Sequence, residues 1–384
     1  MIAPFLSVSP PLPWDVYGRR PADSLPFPLH EGRVRLFARA RQGLFEGLRR
    51  LGLGTGDIAL VPAYHHGSEI EAYVRAGLSL RFYDAKADLA PDEVELDARF
   101  VSQFRVLHLI HYLGFPQDVR RWRAWCDRKG IHLVEDAAQG WLGSACGRPL
   151  GSWGEISLFS VYKTVGVPDG GAVTLRGDVL QPSGRRRRGV RAIALKHAAW
   201  LAGRWALVGA LYARLKGATA YVAEKDFALG DPDVGATAIT SALLPRLVVS
   251  PVAERRVRNY RRLLAELGAW VPDPFRRDPE GASPFAFPVQ VRDKAMSTSL
   301  LAERGVRAVN AWSVPHPALP VNEFPCAARR RSGVLLLPVH QELRSRDVER
   351  IVSAARVALG PPPRDRPELL GFGEATNEDP VLLL

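Results

Sequence analysis

Cysteine is scarce in this chain: Cys126, Cys146 and Cys326 are all that 384 residues contain. They have neither short-range pairing nor a CxxC spacing. That excludes a disulfide framework and a cysteine zinc site, and it predicts a reducing, cytoplasmic setting. Long apolar runs are missing as well, since no uncharged stretch reaches the roughly 18 residues of a membrane-spanning helix. The opening MIAPFLSVSPPLPWDVYGRR has no basic segment followed by a continuous apolar one, so no signal peptide is expected. Acidic residues are in deficit, 40 Asp+Glu against 52 Lys+Arg, for a net charge of +12. Such a surplus favours an anionic partner: a phosphorylated substrate, anionic lipid or nucleic acid. General arginine enrichment accounts for it equally well.

What is present describes a large globular chain, with 47% hydrophobic and 24% charged residues. Residues 1–30 are rich in proline and read as an extended arm over the surface. A helix is expected from Gly32 to Leu51, with Val34, Phe37, Leu44 and Leu48 on one side. The glycine cluster GLGTGD (52–57) lies after a helix and before a strand. This is the reverse of a phosphate-binding loop, and it reads as a turn. Strands and helices then alternate: helix 67–76, strand 79–83, strand 105–110, helix 117–129, strand 131–135, and strands near 156–160 and 171–175. That rhythm predicts an α/β fold, a mostly parallel sheet covered on both faces. Residues 185–225 read as a long basic helix and 236–268 as another helix or helix pair. The remainder, to about 360, reads as a small α+β lobe with strands at 285–291, 307–312 and 334–337.

Two residues stand out chemically. In HLVEDAAQG (132–140) an apolar strand ends at Glu135-Asp136, where parallel sheets bind ligands beyond the carboxyl ends of their strands. An Asp at a strand end also serves as an ordinary helix cap. In FSVYKTVGVPDGG, Lys163 follows a strand among small and apolar residues. Such a lysine is either solvated and inert or, when desolvated, a nucleophile toward aldehydes.

The combination is more specific than either residue. IHYLGFPQD (110–118), then VEDAAQ, then GSWGEISLFS…K…DGG, with VPxxHHG (61–67) and WSVPHP (312–317), resembles the DegT/StrS-type sugar aminotransferases over roughly residues 32–360. These are fold-type-I enzymes that use pyridoxal 5'-phosphate (PLP). The resemblance implies an aminotransferase that moves an amino group from glutamate to a nucleotide-linked keto sugar in polysaccharide or glycoside biosynthesis, working as a homodimer. It implies Lys163 as the Schiff-base lysine and Asp136 as the carboxylate beneath the pyridine nitrogen. Gln139 falls near the ring oxygen, Ser160 on the phosphate, and His66 at the position of a ring-stacking aromatic. Ala40, Arg41 and Gln42 stand where the family opens its phosphate site at a helix N-terminus. His111, Tyr112, Trp312 and His316 are expected toward the substrate.

The chain departs from the family in three places. Arg39-Ala40-Arg41-Gln42 replaces the usual Ser-Gly-Thr, two residues are missing between Ser160 and Lys163, and GDPDVGATAITS (230–241) lacks the partner-subunit asparagine. These changes leave open a non-sugar acceptor, an elimination reaction, or a non-catalytic regulator of the same fold. The regulator would need a DNA-binding module, for which the first 30 residues are too few, so no nucleic-acid partner is expected. No metal site is expected either, because His65-His66 has no further ligand at metal spacing. Arg185–Arg188 reads as a solvated loop. In the helix beyond it, Lys196, His197, Arg204 and Arg214 share a side. That helix is either a lid or subunit contact, or a basic face for anionic membrane contact through 185–216. The expected organisation is an arm (1–30), a PLP-binding domain (31–240), a small α+β domain (241–360) and a tail (361–384).

Overall fold

The computed structural model describes residues 5–31, 34, 36–178, 180–184, 189–205, 207–208, 227–249 and 251–362. Six strands form the central sheet: β1 (Ile58–Pro62), β2 (Ser79–Tyr83), β3 (Phe104–Ile110), β4 (His132–Asp136), β5 (Ile156–Ser160) and β6 (Gly171–Leu175). Their order is β2-β1-β3-β4-β5-β6. All neighbours run parallel except β5 and β6, which are antiparallel. β3 carries FRVLHLI, buried along six of its seven positions, because helices cover both faces of the sheet. Side chains alternate across the pleat. Val106 joins Leu44, Leu48, Ile70 and Tyr73 on one face, and Leu107 and Leu109 meet Trp122, Trp125 and Cys126 on the other.

The first face is covered by α1 (Ala40–Arg50) and α2 (Ser68–Ala76), the second by α4 (Val119–Lys129); α3 (Glu93–Ala98) leads into β3. A one-turn α5 (Val161–Thr164) follows β5 and carries Lys163. After α6 (Val190–Ala202) come α7 (Ala238–Leu247) and α8 (Val252–Leu267), the pair expected over 236–268. The C-terminal lobe is a three-stranded antiparallel sheet, β7 (Phe287–Gln290), β8 (Val309–Asn310) and β9 (Val334–Leu337), ordered β7-β9-β8. It packs with α9 (Lys294–Glu303), α10 (Pro325–Gly333) and α11 (Ser345–Ala358).

Four expectations need correction. The helix read from Gly32 begins only at Ala40, because Phe37 is paired in extended backbone with Gly171 and Gly235. The N-terminal arm does not only lie over the surface. Leu12 and Val16 are fully buried against Phe159, Trp141 and Leu243, and Leu6–Ser7 adds a parallel strand beside Val306–Arg307. The long basic helix ends, in its described part, at Ala202; Arg185–Arg188 and Arg214 fall outside the described residues. Its basic side is not open, since the arm covers it. His197 stacks on Trp14 at 4.3 Å and bonds Tyr17 Oη and the Leu12 carbonyl, and Lys196 Nζ donates to the Pro10 carbonyl. The strand read over 307–312 is two short pieces, Val306–Arg307 and Val309–Asn310.

One glycine sets how closely α1 approaches the sheet. A Cβ at Gly171 would lie 2.0 Å from Ala40 N and 2.3 Å from Arg39 C, so only glycine lets β6 meet the N-terminus of α1. Gly171→Ala is therefore expected to cost about 1–3 kcal/mol in urea unfolding, as over-packing does, and to displace the first turn of α1.

Candidate active site

The carboxyl ends of β3, β4 and β5 and the N-terminus of α1 converge on one cavity of about 330 Å³. It is lined by Arg39, Ala40, Arg41, His66, Ser68, Glu69, Ile110, Asp136, Ala138, Gln139, Leu158, Ser160, Tyr162, Lys163 and Trp312. Its volume lies in the range of a small-molecule site. Of the twelve residues singled out in the sequence, eight line it: Lys163, Asp136, Gln139, Ser160, His66, Ala40, Arg41 and Trp312.

Asp136 is the last residue of β4 and is buried. Its Oδ1 accepts from the Ala138 N–H at 2.8 Å, and its Oδ2 lies 3.4 Å from His108 Nε2. Burial alone would raise the carboxyl pKa. His108, the Ala138 N–H and the Lys163 charge outweigh it and hold Asp136 below the ordinary value, so it is ionised at neutral pH. Lys163 Nζ lies 5.9 Å from the centre of the Phe285 ring. Its peptide carbonyl and that of Thr164 accept from Arg256 on α8, at 3.2 and 2.7 Å, which ties the lysine turn to the C-terminal lobe.

The opposite wall is cationic. The Arg39 guanidinium sits 4.6 Å over the Tyr162 ring, and Arg41 lines the same wall. Burial pushes the Tyr162 phenol up, yet Lys163, Arg39, Arg41 and the Ser160 hydroxyl bring it below its ordinary value. Two arginines beside the first N–H groups of α1 make this end of the cavity fit for a phosphate. Gln42 does not take part as expected. Its N–H bonds the Arg39 carbonyl, its Oε1 caps the Arg39 N–H at 2.9 Å, and its Nε2 donates to the Asp231 carbonyl at 2.6 Å. Gln139 Oε1 accepts from the Leu113 N–H at 2.7 Å, which leaves its NH2 as the donor it can offer. The His66 ring meets Phe227 edge-on at 6.4 Å, and the His66 backbone N–H donates to Glu69 Oε1.

Three residues expected toward the substrate are placed elsewhere. His111 is fully buried outside the cavity, its Nε2 3.0 Å from Glu135 Oε1 and its Nδ1 accepting from the Gln117 N–H. Glu135 also accepts from the N–H groups of Gly151, Trp153 and Gly154, so the pair holds the turn before β5. His316 faces Glu71, with Nε2 3.3 Å from Oε2. Tyr112 donates to the Tyr64 carbonyl and lines a neighbouring apolar crevice with Leu89, Phe275 and Leu336. Trp312 borders both spaces, its ring 4.7 Å from Tyr64 and its φ at +42°. Bulky residues seldom adopt that backbone, and the Arg331 guanidinium helps hold it by donating to the Trp312 carbonyl. Sequence reasoning missed Arg39, Glu69 and Tyr162. Tyr162, between Ser160 and Lys163, was within reach from adjacency alone.

The His111–Glu135 pair generates a stability prediction. Burial raises the Glu135 pKa, but His111 and the loop N–H groups lower it further, to a net depression. Its stabilisation is thus present above the ordinary carboxylate range and lost as pH falls through the depressed folded-state value. Glu135→Ala is expected to lose roughly 3–5 kcal/mol at neutral pH. Glu135→Gln should flatten the acid limb of a stability–pH profile measured by urea unfolding.

Comparison with known proteins agrees with this geometry. The DegT/DnrJ/EryC1/StrS aminotransferase family matches residues 37–190, which span α1 through the start of α6. A UDP-N-acetyl-3-dehydro-alpha-D-glucosamine 3-aminotransferase from Acidithiobacillus ferrooxidans is 25% identical over 335 residues, 84% of this chain and 83% of its own. A dTDP-3-amino-3,4,6-trideoxy-alpha-D-glucose transaminase from Streptomyces venezuelae is 33% identical over 130 residues, 33% of this chain and 34% of its own. Among solved structures, the aminotransferase TlmJ from Streptoalloteichus hindustanus superposes with a TM-score of 0.62 at 22% identity, covering 94% of this chain and 99% of that one. NtdA from Bacillus subtilis, with bound cofactor PMP, gives 0.60 at 16% identity over 85% of this chain and 73% of its own. These structural likenesses establish the fold, a fold-type-I α/β architecture with a mostly parallel sheet flanked by helices. Residues 37–190, which build the cavity's cationic wall, Asp136 and the Lys163 turn, are thus similar to the DegT/DnrJ/EryC1/StrS aminotransferase family.

Proposed function

We propose that this protein is a PLP-dependent aminotransferase that transfers an amino group from glutamate to a keto sugar carried on a nucleotide. The observation that carries the reading is one cavity with a lysine on the turn after β5, an ionised buried carboxylate at a strand end and a cationic wall at a helix N-terminus. When bound, PLP supplies an aldehyde for imine chemistry and an electron sink for the substrate's α-carbon. Among the described residues lining the cavity, Lys163 is the one primary amine. Its Nζ would anchor the cofactor and, once free, would serve as the base for the donor's Cα proton and the acid for the acceptor carbon. Asp136 holds a proton on the ring nitrogen, because its own pKa is kept low. Arg39, Arg41 and the first N–H groups of α1 take the phosphate, with Ser160 beside them. Gln139 would offer its NH2 to the ring's oxygen, and His66 would be the residue to pack on the ring.

Trp312, shared between this cavity and the apolar crevice, is the residue we assign to the acceptor sugar, and the +12 charge suits a nucleotide diphosphate. A homodimer is part of the proposal. Leu195, Trp205 and Leu207 are exposed on and just after α6, beside exposed Trp14 and Tyr17 of the arm, a surface suited to a subunit contact. We place the enzyme in the cytoplasm, in keeping with its three free cysteines. No helix among the described residues is long and apolar enough to cross a membrane. The domain division at about residue 240 follows from the same reading, with the six-stranded sheet before it and the three-stranded sheet after it.

Two measurements test the proposal. Purified protein given PLP, glutamate and a panel of UDP- and dTDP-linked 3- and 4-keto sugars should release 2-oxoglutarate and form an amino sugar detectable by mass spectrometry. Lys163→Ala should abolish both products. Release of keto acid without an aminated sugar in any of the panel would refute the acceptor class. In addition, Arg39→Ala and Arg41→Ala should each weaken PLP retention about tenfold or more, since a charge-assisted contact is worth roughly 1.5–3 kcal/mol. Unchanged retention in both would remove the phosphate from that wall.

A further inference from the structure

His108 does not line the cavity and is fully buried, yet it is the side chain that reaches Asp136 from within the sheet. The register explains how. His108 pairs with Val134 and Ile110 pairs with Asp136, so the side chains of 108 and 136 emerge on the same face as diagonal neighbours. One strand across and two residues along, such neighbours are about 8 Å apart at the backbone, a gap that an imidazole spans. His108 Nε2 lies 3.4 Å from Asp136 Oδ2, and Nδ1 lies 2.9 Å from Tyr73 Oη. Tyr73 projects from α2, is fully buried, and its phenol is held well above its ordinary pKa, by burial first and then by nearby acidic groups. A phenol that stays protonated donates to Nδ1, which places the imidazole proton on Nε2, facing the carboxylate. The Tyr83 hydroxyl donates to the His108 carbonyl at 2.8 Å and fixes the backbone beneath the ring.

We propose that His108 is a positioning residue for Asp136. Tyr73, His108 and the Ala138 N–H together orient the carboxylate so that its remaining lone pairs and its charge are presented to the cofactor's ring nitrogen. This deepens the proposed function and rests on it, because the presented charge matters only if a pyridine ring sits in the cavity. Any buried imidazole needs partners for its nitrogens; what sets His108 apart is that its Nε2 faces the site's own carboxylate. A fully buried imidazole bonded on one side to a phenol and aimed on the other at the site's carboxylate has a directional role.

The test uses protein reconstituted with PLP labelled with 15N at the ring nitrogen. In wild type the 15N resonance should lie at the protonated position. His108→Asn, whose amide is too short to reach Asp136, should move it toward the unprotonated position and speed PLP release on the order of tenfold, the effect of one lost charge-assisted contact. His108→Gln, which restores an N–H at that reach, should recover both. Tyr73→Phe should shift the resonance in the same direction by less, and it carries the test alone should His108→Asn not fold. A wild-type resonance and release rate in the variants, with only melting temperature lowered, would make His108 a packing residue and overturn the inference. Wild-type protein that borohydride does not fix to PLP at Lys163 would overturn the cofactor reading itself. Fixation at Lys163 in every variant keeps the two failures distinct.

Discussion

A carboxylate buried at the end of a central β-strand is the constraint around which this molecule is arranged. An isolated buried charge is strongly unfavourable, and a carboxyl so placed would protonate unless its oxygens were satisfied. Asp136 stays ionised because the Ala138 N–H, His108 and Lys163 each favour the anion. All three are products of the backbone. The chain turns sharply after β4, β3 and β4 pair in a register that sets residue 108 diagonal to 136, and α5 starts directly where β5 ends. The cationic wall is fixed just as closely, since Gly171 lets the N-terminus of α1 approach the sheet. Negative charge is thus held at one end of the cavity and positive charge at the other. A flat cofactor with a cationic ring nitrogen and an anionic phosphate has that same polarity.

The two carboxylates of the Glu135-Asp136 dipeptide illustrate how strand alternation divides labour. Consecutive residues of β4 point to opposite faces. Asp136 enters the cavity, whereas Glu135 is enclosed with His111 and three loop N–H groups. The histidines repeat the pattern across β3, with His108 serving the cavity side and His111 the structural one. One pair tunes charge at the site, and the other secures the turn that leads into β5.

The sheet was legible in the sequence because its strands are short apolar runs separated by amphipathic helices, and the five strands expected at 79–83, 105–110, 131–135, 156–160 and 171–175 lie within a residue of those places. Asp136 and Lys163 stood out at the ends of apolar strands, while their roles, and Ser160 and Gln139 altogether, were legible only through the motif resemblance. What failed was decided by contacts distant in sequence. The proline-rich arm gave no periodic signal, and only the fold shows Leu12 and Val16 entering the core beneath α6. The basic side of α6 read as either a lid or subunit contact or a membrane-facing surface, and the cover it has, Trp14 and the Pro10 carbonyl over His197 and Lys196, comes from the arm instead. His111 and Gln42 sit in motifs that point to a site, but a buried carboxylate claims the first and helix capping the second. His108 offered a signal that went unused: it stands two residues before a strand end, on the face of the neighbouring strand's carboxylate.

The account's central claim is that Lys163 holds the cofactor against Asp136 in this cavity. Reduction of the PLP-loaded protein with borohydride, followed by proteolysis and mass mapping, tests it directly. The account predicts a single modified peptide carrying the reduced cofactor on Lys163, absent from Lys163→Ala. Attachment at another lysine, such as Lys196 beneath the N-terminal arm, or no covalent attachment at all, would contradict it.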